Sequence, residues 1–142
     1  MPSDNQLYTL LQQARTIAIV GMSDNPQRPS HAVARYLQRN GYRIIPVNPV
    51  LKGKLLDVQP VASLREINEH VDIVLVFRRP EQVSEVVEDA IAIGASAVWM
   101  QLDIVNHEAA HMARQAGLEV VMDRCIAVDH RRLSRYAEVA YS

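Results

Sequence analysis

The chain has 142 residues, 49% of them hydrophobic, and a formal charge of −1 from 15 basic and 16 acidic side chains. Such a length supports one core and a single domain over 1–142; the balanced charge offers no basic field for nucleic acid, and no apolar run approaches the ~20 residues needed to cross a membrane. Cys125 is the single cysteine, so an internal disulfide and a cysteine-based zinc cluster are excluded, and the first residues lack the pattern of a secretory signal, making the cytoplasm the expected location.

In chain order, a helix is expected over about 4–14. Ile17–Val20 follows as a short buried strand, broken at Gly21 and at the polar turn Asp24-Asn25-Pro26-Gln27-Arg28-Pro29-Ser30. A helix over His31–Asn40 repeats apolar groups at Val33 and Leu37 and stops at Gly41. Tyr42–Val47 is the next strand, turning at Asn48-Pro49; Leu55–Val58 is assigned a short edge strand and Ser63–Glu69 a short helix. Val71–Phe77 gives another strand. The helix after it opens at Pro80, places Val83, Val86, Val87, Ala90 and Ile91 on one face, and ends at Gly94. Ala97–Met100 is a strand whose Trp99 is expected in the core. Asn106 caps a helix that runs to Gly117, and Glu119–Met122 is the last strand.

Short apolar strands alternating with amphipathic helices predict a three-layer α/β fold with a mainly parallel, doubly wound sheet covered on both faces. With Leu55–Val58 counted as the third of six strands, the expected order is 3-2-1-4-5-6. Right-handed crossovers and a switch beside the first strand then place ligand at the carboxyl ends of strands one, two and four.

Three clusters fall at those ends. Gly21 begins a strand–turn–helix junction, where backbone N–H groups and the helix dipole receive phosphate. Ser23 offers a hydroxyl and an amide, Arg28 a bidentate guanidinium, Pro26 and Pro29 stiffen the loop, and Ser30 opens the helix. Only the first glycine of a G-x-G-x-x-G fingerprint is present. At the end of the second strand, where NAD-binding folds carry a carboxylate for the ribose, stand Val47-Asn48-Pro49, with Lys52 four residues after Asn48. An amide beside a lysine tolerates a phosphorylated ribose, as in coenzyme A or NADP. Phe77-Arg78-Arg79-Pro80 forms the third cluster.

Gly21-x-Ser23, Pro26-x-Arg28-x-Ser30, Tyr36-Leu37, Gly41-Tyr42, Pro46-Val47-Asn48-Pro49 and Asp123-Arg124-Cys125 together resemble the stand-alone CoA-binding protein family, which is similar to the CoA-binding domain of the succinyl-CoA synthetase α subunit. The likeness runs from Tyr8 to Leu133 and implies a Rossmann-type fold with coenzyme A as ligand. Carried over by position, Gly21, Ser23 and Arg28 meet the phosphates, Val47, Asn48 and Pro49 the adenosine end; Phe77 and Arg78 line the cleft, and Met100 and Gln101 lie near the pantetheine path. The family pattern usually has glycine where this chain has Asp103. The synthetase's phosphohistidine domain has no counterpart here, so His107, His111 and His130 are not matched to its catalytic histidine.

The resulting expectation is a non-catalytic metabolic or regulatory protein binding coenzyme A or an acyl-CoA, as a homodimer or with an unidentified protein partner. The alternative is an NAD(P)-dependent oxidoreductase or a redox-sensing nucleotide module. A third reading starts from His107-Glu108-Ala109-Ala110-His111, which fits H-E-x-x-H; without a third ligand, two surface histidines are favoured over a zinc site. Cys125 follows the last strand, where a thiol could approach the sulfur end of coenzyme A; a buried, inert thiol is the favoured expectation.

Overall fold

In β1 (Thr16–Val20), Ile17 and Ile19 point to one side of the sheet, Ala18 and Val20 to the other. The same division recurs in β3 (Ile73–Val76) and β4 (Ala97–Met100), where Leu75 and Trp99 share a face with Ile19 while Val76 and Met100 share one with Val20. Side chains alternate across a strand, so a sheet that is apolar at every position must be covered twice. The computed structural model describes residues 1–135 and shows both covers. Helices α1 (Asp4–Gln13), α2 (Pro29–Arg39) and α5 (Ile126–Leu133) bury Leu7, Leu11, Val33, Leu37 and Ile126 against one face. Helices α3 (Val83–Ala92) and α4 (His107–Gln115) bury Val83, Val87, Ala90, Ala109 and Ala113 against the other.

The sheet is parallel in the order β2-β1-β3-β4-β5, with β2 at Arg43–Val47 and β5 at Glu119–Val121. This is the expected Rossmann-type α/β arrangement with one strand fewer. Leu55–Val58 does not join the sheet. Leu55 and Val58 exchange both backbone hydrogen bonds with each other, at 2.9 and 2.8 Å, across a turn whose central residues Leu56 and Asp57 have φ of 51° and 64°. The groups a strand would offer to β2 are thereby consumed within the turn. The edge of β2 is met instead at Val61, which donates to the Pro46 carbonyl and accepts from the Asn48 N–H, each at 3.0 Å.

Helix ends differ from expectation at α2. Arg28 occupies the N-cap and Pro29 the first helical position, two residues before the expected start at His31. Proline fits there because its missing N–H has no intrahelical role in the first turn. Side chains cap α1 and α4: Ser3 and Gln6 form a capping box on α1, and Asn106 accepts from the Ala109 N–H at 2.9 Å, whereas α3, like α2, has no side-chain cap. Trp99 is fully buried, with its indole N–H donating to the Arg124 carbonyl at 2.8 Å. No helix among the described residues is long and apolar enough to cross a membrane.

Candidate functional site

β2 and β1 lie side by side with β3 next to β1, so the chain passes over β1 on its way from β2 to β3. The carboxyl ends flanking that switch form the crevice of an open α/β sheet. Gly21 stands at its centre with φ of +89°. Its N–H donates to the Val47 carbonyl at 2.9 Å, while the Phe77 N–H donates to the Val20 carbonyl at 2.8 Å. A Cβ on Gly21 would lie 2.3 Å from the Phe77 carbonyl oxygen. The close approach that demands glycine is therefore made by the protein's own backbone, where the sequence reading assigned it to a ligand.

The loop from Gly21 to α2 is a series of linked turns. The Ser23 Oγ accepts from the Asn25 N–H and the Asn25 Oδ1 from the Gln27 N–H, both at 3.0 Å. The Arg28 N–H returns to the Asn25 carbonyl at 3.0 Å. Ser23's own N–H is committed to the buried Ser30 Oγ at 2.9 Å. Of the two Ser23 groups expected to meet phosphate, the hydroxyl proton stays available and the amide does not. Pro26 and Arg28 are exposed, and α2 has no side-chain cap. Pro29 has no N–H, and the His31 and Ala32 N–H groups both return to the Arg28 carbonyl, at 3.1 and 3.2 Å; what the helix start offers is the positive end of its dipole, with a guanidinium beside it.

At the end of β2, Val47 is buried and Pro49 and Lys52 are exposed. The Asn48 side chain is engaged at both amide atoms: Nδ2 donates to the Met22 carbonyl at 3.0 Å and Oδ1 accepts from the Val50 N–H at 3.2 Å. It ties the glycine loop to the loop after β2, a structural duty that the ribose-binding argument did not include. Among the described residues no salt bridge engages Arg28, Lys52 or Arg78. Phe77 and Arg78 are half-buried, and the Arg78 Cδ lies 3.3 Å from where a Gly21 Cβ would stand.

Met100 and Gln101, expected near the pantetheine path, are both buried. Met100 is fully buried in the core under α3 and α4 and presents no surface to a ligand. Gln101 is 6% exposed; its Oε1 accepts from the Ile126 N–H at 3.2 Å, supplying α5 with the cap that Cys125, at the N-cap position, does not. Asp103 adopts φ of +69°, which explains why a glycine suits that place; its N–H donates to Asp123 Oδ1 at 2.7 Å. In the Asp123-Arg124-Cys125 motif, Arg124 turns away to buried Asp129 with a two-point bond at 2.6 and 2.8 Å. That bond holds the guanidinium's pKa above its usual value. Cys125 is a half-buried free thiol. His107 and His111 are both exposed on α4, and no three His, Cys, Asp or Glu side chains among the described residues are grouped to hold a metal.

Two features escaped the sequence reading. A pocket of about 200 Å³ opens at the rim between β1, β2 and α3, lined by Val20, Val47, Leu64, Arg78, Glu85 and Val86 among others. Its wall comes from residues 62–64 and from one turn of α3, distant segments that no local motif links. His31 is 7% exposed with its Nδ1 lacking a hydrogen-bond partner among the described residues; only its place on the sheet-facing stripe of α2 hinted at burial. The two larger concavities, of about 500 and 460 Å³, lie away from the rim, beside α1 and the edge of β5, and at the start of β1 and β2. The convergence of strand ends, an uncapped helix N-terminus and unpaired cations makes the rim the better site than volume alone would suggest.

The chain is similar to known proteins over most of its length. The CoA binding domain family matches residues 15–131. Uncharacterized protein YneT of Bacillus subtilis (strain 168) is 45% identical over 129 residues, covering 91% of this chain and 95% of the relative. The structure of cell-free ID.343 from Thermus thermophilus is 41% identical, with a TM-score of 0.89 over 93% of this chain and 99% of that one. At the level of fold alone, a dinucleotide forming acetyl-coenzyme A synthetase of Ca. Korarchaeum cryptofilum is similar, with 20% identity and a TM-score of 0.65 over 74% of this chain and 25% of that one. Matched over most of its length, the chain belongs to the CoA binding domain family.

Proposed function

We propose that this protein binds coenzyme A or an acyl-CoA across the carboxyl rim and has no reaction of its own. The pyrophosphate is received at the start of α2, where no side-chain cap covers the positive end of the helix dipole and Arg28 adds a bidentate charge. The adenosine end lies by Val47, Asn48 and Pro49, with Lys52 facing the 3′-phosphate. Pantetheine leaves past Phe77 and Arg78. The observation that carries this reading is the uncapped N-terminus of α2 at the topological switch, in a member of a CoA-binding family. The rim carries cations for phosphate without a paired nucleophile and base among the described residues, which supports a binding module over an enzyme. An NAD reading finds less support, because the end of β2 holds no carboxylate for a ribose diol.

Native mass spectrometry of gently purified protein tests the ligand class. A mass increment equal to coenzyme A or an acyl-CoA, removed by dialysis and restored by added CoA, is the expected result. An increment equal to NAD or NADP, with none restored by CoA, overturns it.

A further inference from the structure

Among the described residues the exposed large apolar side chains are Met1, Val50, Leu102, Val105 and Val128. Apart from Met1, each follows the carboxyl end of a strand: Val50 after β2, Leu102 and Val105 after β4, and Val128 early in α5, which leaves β5. Exposed apolar residues scattered singly are ordinary; here three fall on adjoining segments at one end of the sheet. The loop that carries two of them is tied on every side. The Ile104 N–H donates to the Gln101 carbonyl at 2.9 Å and the Asp103 N–H to Asp123 Oδ1 at 2.7 Å. Asn106 Nδ2 donates to the Pro80 carbonyl of the loop after β3 at 2.8 Å, and α5 begins against Gln101 Oε1. Asp103 takes a left-handed φ of +69° to make these bonds, a conformation unfavourable for a side chain. Ile104 packs on the core, while Leu102 and Val105 stay 57% and 39% exposed. The loop fixes two apolar side chains where the fold gains nothing from them.

The proposed ligand runs along the rim in strand order, with adenosine at β2, pyrophosphate after β1 and pantetheine past Phe77 at β3. The next strand is β4, about 5 Å further on, and the group that follows pantetheine is the acyl chain of a thioester. We infer that Leu102 and Val105, continued by Val128, form a platform for that chain, and that the ligand is the coenzyme A thioester of an uncharged aliphatic acid. The inference rests on the coenzyme A site proposed above. Methylenes laid on these side chains remove apolar surface from water on both partners, which free CoA does not. Charge narrows the class. Asp103 and Asp123 are exposed on the same loops and enter no salt bridge among the described residues, so an acyl chain ending in a carboxylate is repelled.

Calorimetric titration of the full chain with CoA, hexanoyl-CoA and succinyl-CoA tests this. The parent should bind hexanoyl-CoA about tenfold more tightly than CoA, as expected when a few methylenes are covered, and succinyl-CoA no more tightly than CoA. Replacing both apolar groups, in Leu102→Ser with Val105→Ser, should bring hexanoyl-CoA and CoA within about threefold of each other. Asp103→Asn, which tolerates the left-handed backbone, should raise succinyl-CoA affinity about two- to fivefold, the range of an exposed charge interaction. An undiminished preference in the double variant overturns the platform, and succinyl-CoA binding as tightly as hexanoyl-CoA overturns the ligand class. No preference in the parent leaves Leu102 and Val105 to a protein partner and overturns the inference, with the CoA site standing. A parent that binds none of the three overturns the site itself.

Discussion

At the amino ends of the strands, charge is paired off. Arg43 at the start of β2 grips Glu69 through two nitrogens and holds that carboxyl below its usual range, and Asp72 accepts from the Arg15 and Thr16 N–H groups, each at 2.9 Å. Arg132, late in α5, bonds Asp4 of α1 at 2.8 Å. At the carboxyl rim, Arg28, Lys52 and Arg78 have no salt-bridge partner among the described residues. The amino end ties its elements together through these pairs, while Arg28, Lys52 and Arg78 at the rim stay unpaired among the described residues, as the proposed phosphate site requires. A carboxylate placed beside Arg28 would compete with phosphate for the same donors.

The largest effect is expected at Gly21, where the two demands meet. Gly21→Ala drives a Cβ into the Phe77 carbonyl at a left-handed φ, so it should destabilise the unliganded protein by on the order of 3 kcal/mol. A denaturant titration read at equilibrium measures it. A near-neutral result would mean that the strand ends flex apart, and the rim would no longer be a rigid cradle.

Arg28 should show the opposite profile. Arg28→Ala is expected to weaken CoA binding by about 1.5–3 kcal/mol, as for a hydrogen bond to a charged group, with thermal stability nearly unchanged because the side chain is exposed. Loss of stability with unchanged affinity would reverse the division between the two ends.

The amino end carries its own pH signature. Burial pushes the Tyr42 hydroxyl from 10.0 up to about 12, and that hydroxyl donates to the Leu11 carbonyl. The unfolded tyrosine ionises first, so this contribution is fully present below pH 10 and is lost as pH rises through about 12. Its size is on the order of 2 kcal/mol, read as the fall in unfolding free energy across that window. Tyr42→Phe should flatten the fall at a cost of about 1 kcal/mol at neutral pH.

Much of this contrast was legible in the chain. Alternating apolar strands, Gly94 after α3 and Asn106 before α4 reported their own local conformations, so the neighbour order of the strands and the switch followed; Pro80, expected to open α3, instead opens a 3-10 turn over Pro80–Gln82. The site was legible where one segment makes it, as at Gly21–Ser30. It was not legible where tertiary hydrogen bonds reassign a group. Ser23 loses its amide to Ser30, and Asn48 spends its side chain on Met22 and Val50. Gln101 caps α5, and Leu55–Val58 folds upon itself. The rim pocket was hidden for the same reason, since it exists only once residues 62–64 meet α3.

The smallest effect belongs to Lys52, exposed in the loop after β2. Its contribution to CoA over dephospho-CoA should be about 0.5–1 kcal/mol, since exposed pairs are weak, and should shrink as salt is raised. Lys52→Ala should abolish that margin and leave dephospho-CoA affinity alone. A margin that persists in Lys52→Ala assigns the 3′-phosphate to another group.

The central claim, that the carboxyl rim is built for coenzyme A, is met most directly by titrating one preparation with CoA, dephospho-CoA and NAD in a calorimeter. The account predicts affinities falling in that order, with the CoA advantage over dephospho-CoA declining as salt increases. NAD binding as tightly as CoA, or more tightly, would contradict it.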